Sequence, residues 1–415
     1  MNLIQLLRLL KTIYYGRPPD IKLIQSLGLL AVKIGQTYAQ RADFLAESSC
    51  RELAKLYRQT TPIAADGIDS LIDDAVGEGW RASFRFLSRE PLASASVGQV
   101  HKGVLLTGES VVVKVVRRDF RQAFEQDIDN AERILKRLVW IYPKLARVAD
   151  PIGTLRHIGK STLSELDLRN EVQGQHDLAA IYQRHREEFD LAKLAFPKIY
   201  EALSSERVMV SEFVKGPTFD ELLESGNLGF ETLLDLFEIH GFFLFCTGTF
   251  HGDIHPGNII LREGQIVFLD TGAISRVPAA MRRGLFRFFD ALVNEDLERS
   301  ALSLEAMSRT PLSEERSKRF QRAFQDLYSG FLGKSVAELS LSRQMMQTIR
   351  LAVDHGMDFE TGMYPIVKSL MYLDGMVLRC APSTDLMAEL RPYLDRFRPW
   401  VEKEPEPESK PLAVG

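Results

Sequence analysis

The segment His251-Gly-Asp-Ile-His-Pro-Gly-Asn258, followed by Phe268-Leu-Asp-Thr-Gly272, places two carboxylates and a carboxamide at a spacing that suits phosphoryl transfer. That reaction asks little covalent chemistry of a protein. It needs one carboxylate to orient or deprotonate the attacking oxygen, and oxygen ligands for a Mg²⁺ ion that neutralises phosphate charge. An Asp with an Asn five positions on, then a second Asp ahead of Gly after a hydrophobic strand, supplies that set in the required order. Asp253 is therefore the candidate catalytic carboxylate, and Asn258 and Asp270 are the candidate metal ligands. Asp and Asn also cap turns and end strands. The ordered pair of motifs, 12 residues apart between Asn258 and Asp270, favours chemistry over that plainer role.

A kinase-like site also needs a lysine on a buried strand to reach the α- and β-phosphates of ATP, held by a helix carboxylate. Val111-Val-Val-Lys-Val-Val116 sets Lys114 alone in an apolar run, where an unpaired ammonium is costly, so a partner is expected. The plain alternative is an edge strand with Lys114 facing water. Candidate partners are Glu165, Asp167 and Glu171 in an expected helix over 161–171, with Asp167 and Glu171 on one face by their four-residue spacing. A solvated acidic face is the plain alternative there. Ahead of the lysine strand, Ala93-Ser94-Ala95-Ser96-Val97-Gly98 stands where a phosphate loop is expected. Its small residues permit close backbone approach, but only Gly98 brings glycine's conformational freedom.

The elements that position these residues follow from hydrophobic periodicity. Residues 1–60 recur at threes and fours, as helices do, with a break at Gly16-Arg-Pro-Pro19. Leu3, Leu6, Leu7, Leu10 and Tyr14 share a helical face, expected to pack on the domain, with contact to a membrane surface as the alternative. Residues 81–118 turn to β-branched clusters with a turn at Thr107-Gly108-Glu109, a small antiparallel sheet. Helices return from Asp119 to about Gln183, strands at 196–200 and 208–214, and long helices from Phe219 to about Phe397 around one strand-turn cluster at 258–274. The proline-rich charged tail from Glu402 is read as unstructured. The fold class is thus α+β: a helical extension over 1–80, a sheet-containing lobe over 81–215, a mainly helical lobe over 216–400 and a tail over 401–415.

The 415 residues, 45% hydrophobic and 26% charged, suit a packed globular chain. A net charge of −4 offers no global field for nucleic acid, which is not an expected partner. Cys50, Cys246 and Cys380 are far apart and form no CxxC pair, so neither a disulfide framework nor zinc is indicated and a reducing, cytoplasmic setting is expected. The N-terminal run is broken by Arg8 and Lys11 and makes a poor signal peptide. The longest uncharged run, Ile239 to Gly252, has 14 residues, short of the roughly 20 needed to span a bilayer. Membrane contact is therefore expected to be peripheral at most.

With these residues assembled, the chain resembles the UbiB family of atypical kinases, also called AarF or ADCK, over about residues 25–380. The most specific element is Lys33-Ile-Gly35-Gln36 with Arg41 and Asp43, similar to the KxGQ motif of an N-terminal extension that ordinary kinases lack. The run from Pro91 to Ser96 leading into Gln99-Val-His101, Glu165-Leu-Asp167 with Glu171, and Leu373-Asp-Gly375 also fit. The resemblance implies a two-lobed protein-kinase-like fold binding ATP and Mg²⁺, with Glu171 paired to Lys114 and nucleotide contacts at Ala93 to Val97, Glu212 and Val214. It implies a regulatory KxGQ helix across the substrate cleft, with Lys33 anchored by Glu165 or Asp167. It further implies ATP hydrolysis or phosphorylation of a small-molecule or lipid-precursor substrate in ubiquinone or other isoprenoid-lipid metabolism. Ser94 and Gly98 depart from the family's alanine pattern, which is expected to relax the loop's restraint on the nucleotide. The rival readings are a phosphotransferase of the aminoglycoside or choline kinase type, against which the KxGQ-like segment argues, and a silent nucleotide-binding scaffold.

Overall fold

The computed structural model describes residues 1–16, 18–39, 45, 47–57, 72–73, 75–77, 79–94, 98–116, 118–141, 151–331, 333–359 and 363–403. In chain order the helices are α1 (Leu3–Tyr15), α2 (Ile21–Ser26), α3 (Leu29–Ala39) and α4 (Glu47–Ala54), then strands β1 (Phe84–Ser94), β2 (Gly98–Leu105) and β3 (Ser110–Val116). Helices α5 (Arg118–Ile141), α6 (Pro151–Glu165) and α7 (Arg169–His185) lead to β4 (Leu194–Ala195) and β5 (Val208–Glu212). The remainder comprises α8 (Phe219–Glu224), α9 (Phe230–Gly241), a π-helical turn (Phe242–Thr247), β6 (Thr249–His251), β7 (Ile259–Arg262), β8 (Gln265–Phe268), β9 (Ile274–Arg276), α10 (Ala279–Val293), α11 (Leu297–Ala306), α12 (Glu314–Tyr328), α13 (Leu341–Asp354), α14 (Met363–Cys380) and α15 (Leu386–Lys403). Two compact units result: residues Met1–Gln175 with Pro197–Val214, and His176–Phe196 with Lys215–Gly415.

In the first unit, α1 begins with a capping box in which Asn2 and Gln5 satisfy each other's backbone amides. Its inner stripe, Leu6, Leu9 and Ile13, is buried in a core shared with α3, α5 and α6. The expected single apolar face divides: Leu3, Leu7 and Tyr14 are exposed, because the buried stripe runs through positions 6, 9 and 13 instead. A four-stranded antiparallel sheet follows in the order β1-β2-β3-β5. β3 is interior to it, so the edge-strand alternative for Lys114 does not hold. Strand alternation sends Val111, Val113 and Val115 into a core with Trp80, Leu105 and Val210, and leaves Lys114 on the other face.

The expected helix over 161–171 is broken. α6 stops at Glu165 and α7 starts at Arg169, because Leu166 and Leu168 turn inward to pack with Val116 and Met209, and the Leu168 amide donates to the Glu206 carbonyl at 2.8 Å. Asp167 accepts from the Arg169 amide at 3.1 Å at this break, so it does not share a helical face with Glu171. The strand expected at 196–200 is reduced to a single bridge, Ile199 with Ser211.

The second unit is built on aromatic burial. Phe242, Phe243, Phe245, Phe250, Phe289 and Phe397 are at most 3% exposed, each contributing about 1.5–3 kcal/mol relative to exposure. The 14-residue apolar run seen in the sequence is interior here: the end of α9, the π turn and β6. Arg282 donates to the Phe245 and Cys246 carbonyls at the end of that turn, groups the π geometry leaves without helix partners. β8 pairs parallel with β4 and antiparallel with β7, and β6 pairs antiparallel with β9. Buried Asp374 of α14 accepts from the Ser340 hydroxyl and the Leu341 and Ser342 amides, capping α13 from a distance. Glu402 and Lys403 finish α15, and the rest of the expected tail lies outside the described residues.

Candidate functional site

In the first unit, Lys114 Nζ lies 2.6 Å from Glu171 Oε2, with the side chains 15% and 7% exposed. Lys114 sits between Val100 of β2 and Met209 of β5, and Glu171 stands in the first turn of α7, where a carboxylate also meets the positive end of the helix dipole. Of the three candidate acids, Glu171 alone takes this role. Glu165 receives the ammonium of Lys33 from α3. Asp167 is bidentate with Arg169, at 2.9 and 2.7 Å, and that guanidinium holds its carboxyl below the usual range. The alternative left open for Lys33 is thus decided for Glu165.

Gly35 and Gln36 of the same motif do a different job. A methyl on Gly35 would come 2.5 Å from Leu56 Cδ1, and Gln36 Nε2 donates to the Leu56 carbonyl at 3.0 Å. They seat α3 on the segment after α4. Arg41 and Asp43 lie outside the described residues. So do Ala95, Ser96 and Val97, while Ala93 is exposed near the end of β1 and Ser94 pairs in register with Gln99. Gly98 is required for space and not for backbone freedom: a Cβ there would collide with the Val115 carbonyl. Glu212 ends β5 opposite Val111 and accepts from the Lys198 amide at 3.1 Å, and Val214 is buried.

In the second unit, a short hairpin explains the spacing of the motif. β7 and β8 pair Ile259 with Phe268 and Arg262 with Gln265, closed by a two-residue turn whose members, Glu263 (φ 51°) and Gly264 (φ 83°), are both left-handed. The ladder continues one step beyond the strands, the Leu269 amide donating to the Asn258 carbonyl at 2.9 Å. Asn258 and Asp270 are thereby delivered to the same end of the hairpin. Asp253 precedes it, its amide donating to His251 Nδ1 at 3.1 Å, and Asn258 Nδ2 donates to the Asp253 carbonyl at 3.4 Å. Asp270 Oδ1 accepts from the Gly272 amide at 3.0 Å, which makes the Asp-Thr-Gly turn.

The donor set suits Mg²⁺. The two candidate metal ligands offer oxygen only, the Asp270 carboxylate and the amide oxygen of Asn258, whose Nδ2 is committed to the Asp253 carbonyl. Mg²⁺ is held by one or two carboxylates with phosphates and water completing its shell, so a dense acidic cage is not required. Among the described residues no group of three or more His, Cys, Asp or Glu forms such a cage.

Three side chains here escaped the sequence reading. His251 is buried, and burial pushes its imidazole down from the ordinary value against the opposing influence of Asp253 and Asp270. His255 Nδ1 accepts from the Gly257 amide at 3.0 Å, and its ring lies edge-on to Tyr372. Lys368 of α14 places Nζ 2.9 Å from Asp253 Oδ1, a charge contact on an oxygen that is buried and has no hydrogen-bond donor among the described residues. The histidines were visible in the motif but read only as spacing, and no local signal marks Lys368.

A family profile described as the ABC1 atypical kinase-like domain matches residues 55–303, more than half of the chain. The chain belongs to the ABC1, or UbiB, family of atypical kinase-like proteins. It is 28% identical over 388 residues to "Probable protein kinase UbiB" of Vibrio vulnificus strain CMCP6, covering 90% of this chain and 69% of that protein. It is 26% identical over 397 residues to the protein of the same name in Pasteurella multocida strain Pm70, covering 90% and 73%. Among solved structures, the Rv3197–erythromycin complex from Mycobacterium tuberculosis shares the fold with a TM-score of 0.53 at 20% identity, covering 92% of this chain and 95% of that one. The ABC1 assignment bears out the expected α+β, kinase-like fold class. No described helix of this ABC1 chain is long and apolar enough to cross a membrane.

Proposed function

We propose that the chain binds Mg·ATP and acts on its γ-phosphate as an atypical kinase or ATPase, serving ubiquinone or other isoprenoid-lipid metabolism. The observation that carries this reading is the β7–β8 hairpin, which brings Asn258 and Asp270 to one end beside Asp253. Lys114, held by Glu171 on an interior strand, supports it. In this reading Asp253 orients the acceptor hydroxyl or water, and Lys114 contacts the α- and β-phosphates. Asn258 and Asp270 hold the Mg²⁺, which when bound neutralises phosphate charge. Ala93 to Val97, Glu212 and Val214 are the proposed nucleotide contacts of the sheet-containing region. Membership of the UbiB family supports a lipid-precursor substrate.

Two features support finer parts of the reading. The Lys33–Glu165 pair fixes the helical extension to the end of α6, which favours a regulatory extension that excludes ordinary peptide substrates. The outer face of α1 carries exposed Leu3, Ile4, Leu7, Tyr14 and Tyr15 with Arg8 and Lys11 and no acidic residue, the pattern of a helix that rests on an anionic lipid surface. Peripheral membrane contact through α1 is the proposed localisation.

Asp270→Asn tests the central claim. It should abolish the Mg²⁺-dependent rise in melting temperature that ATP gives the wild type; an undiminished rise would refute the ligand assignment. Turnover measured with anionic vesicles and quinone-precursor phenols, against Asp253→Asn, separates the lipid-pathway reading from that of a general small-molecule phosphotransferase, which needs no lipid.

A further inference from the structure

The stretch from His251 to Asn258 contains no lysine or arginine, yet Asp253 has a cation against it. His255 of that stretch uses Nδ1 as a hydrogen-bond acceptor for the Gly257 amide, which shapes the turn. The charge comes from α14 instead. Lys368 and Asp253 are 20% and 29% exposed, well below the values of a surface ion pair, whose worth is small.

α14 is held against the loop by Pro365 and Tyr372 and against α9 by Ser369, on successive turns around Lys368. Pro365 packs at Gly252, where a Cβ would come 3.4 Å from Pro365 Cβ. Ser369 donates to the Ile366 carbonyl at 2.9 Å and accepts from His240 Nε2 at 3.0 Å. Tyr372, one turn on, receives the edge of the His255 ring at 5.3 Å. An incidental pair would need none of this registration. An ammonium also suits the position, being a compact charge with rotatable donors that engages one carboxylate oxygen and leaves the other to a hydroxyl, where a guanidinium fork tends to take both.

We propose that Lys368 is a positioning residue for Asp253: its ammonium, delivered by α14, aims the carboxylate that orients the phosphate acceptor, a role for which the loop supplies no cation of its own. This rests on the reading of Asp253 as that carboxylate.

The test uses the full chain and four variants, Lys368→Met, Lys368→Arg, Asp253→Asn and the double variant Asp253→Asn/Lys368→Met, with Mg·ATP turnover and Mg·ATP-induced thermal stabilisation as readouts. Lys368→Met should lose about tenfold or more in kcat while KM for ATP stays within about threefold and the thermal shift is kept, since the lysine acts on Asp253 and not on nucleotide affinity. Lys368→Arg should recover part of the rate, and the double variant should be no slower than Asp253→Asn alone. Unchanged or increased kcat in Lys368→Met, no advantage of arginine over methionine, or losses that multiply in the double variant would each overturn the proposal. If Lys368→Met does not fold, Lys368→Gln against Lys368→Arg carries the same comparison. Should the wild type show neither turnover nor a Mg·ATP shift, the functional reading itself fails; wild-type rates in Lys368→Met beside a dead Asp253→Asn remove only Lys368.

Discussion

Each unit buries a lysine against a carboxylate, and the two pairs are mirror images in construction. In the first, the lysine lies on a strand and the acid on a helix: Lys114 on β3 with Glu171 at the start of α7, 2.6 Å apart. In the second, the acid precedes the hairpin and the lysine comes from a helix: Asp253 with Lys368 on α14, 2.9 Å apart. The first pair is the drier, at 15% and 7% exposure against 20% for Lys368 and 29% for Asp253. A lysine on an interior strand has its backbone fixed by pairing on both sides, since β3 bonds to β2 and β5. A pair between a loop and a helix depends on how the helix is seated.

The sharpest way to break this comparison is to remove each lysine and measure unfolding. Lys114→Met takes the ammonium away from the buried Glu171 carboxylate and should destabilise the chain by about 3–5 kcal/mol, the range for breaking a buried pair from one side. Lys368→Met leaves the wetter Asp253 and should lose about 1–2 kcal/mol, because water can partly replace the ammonium. Denaturant unfolding of the two variants decides it. Equal losses would show that burial does not distinguish the pairs.

A second test uses acid. The seat of α14 depends on His240, whose Nε2 meets Ser369 next to Lys368, and burial lowers the His240 pKa from 6.5 to about 3. Folding therefore favours the neutral imidazole. The stability it contributes is complete above pH 6.5 and is lost as pH falls from 6.5 towards 3, because over that window the unfolded chain binds a proton the folded chain does not. One such group contributes a slope of up to about 1.4 kcal/mol per pH unit. His240→Asn should remove that share of the slope between about pH 6 and 4 whatever it does to stability at neutral pH. An unaltered slope would mean that His240 does not titrate on unfolding.

The two pairs also differ in how far they could be read from sequence. Lys114 announced itself as the single charge in an apolar strand, and the need to neutralise it pointed to an acid on a following helix. Choosing among Glu165, Asp167 and Glu171 required knowing that the chain breaks at 166–168, where buried Leu166 and Leu168 override a helical pattern. The Asp253, Asn258 and Asp270 set was legible because a hairpin with a two-residue turn converts spacing in sequence into proximity. Lys368 was not, since α14 is an ordinary amphipathic helix and nothing local tells a lysine that faces a carboxylate from one that faces water. Gly98 misleads for the opposite reason: a glycine suggests backbone freedom, and its actual role, clearance for the Val115 carbonyl, depends on a neighbouring strand.

The smallest expected effect concerns the hairpin that does for the second unit what β3 does for the first. Its turn needs two left-handed residues, and Glu263, at φ 51°, is poorly suited to the first of them. A side chain with Cβ in that region is strained by about 1–2 kcal/mol, a penalty asparagine largely escapes, which is why Asn-Gly is the preferred pair in such turns. Glu263 is exposed, so its replacement disturbs no packing. Glu263→Asn should therefore raise stability by about 0.5–1 kcal/mol, or about 1–4 °C in melting temperature, by relieving the turn without moving the strands. Mg·ATP turnover should not change, because Asn258 and Asp270 sit at the other end of the ladder. A lower melting temperature would mean that the turn is not what sets the hairpin's register, and the link between 12-residue spacing and the meeting of Asn258 with Asp270 would have to rest on β4 and β6 instead.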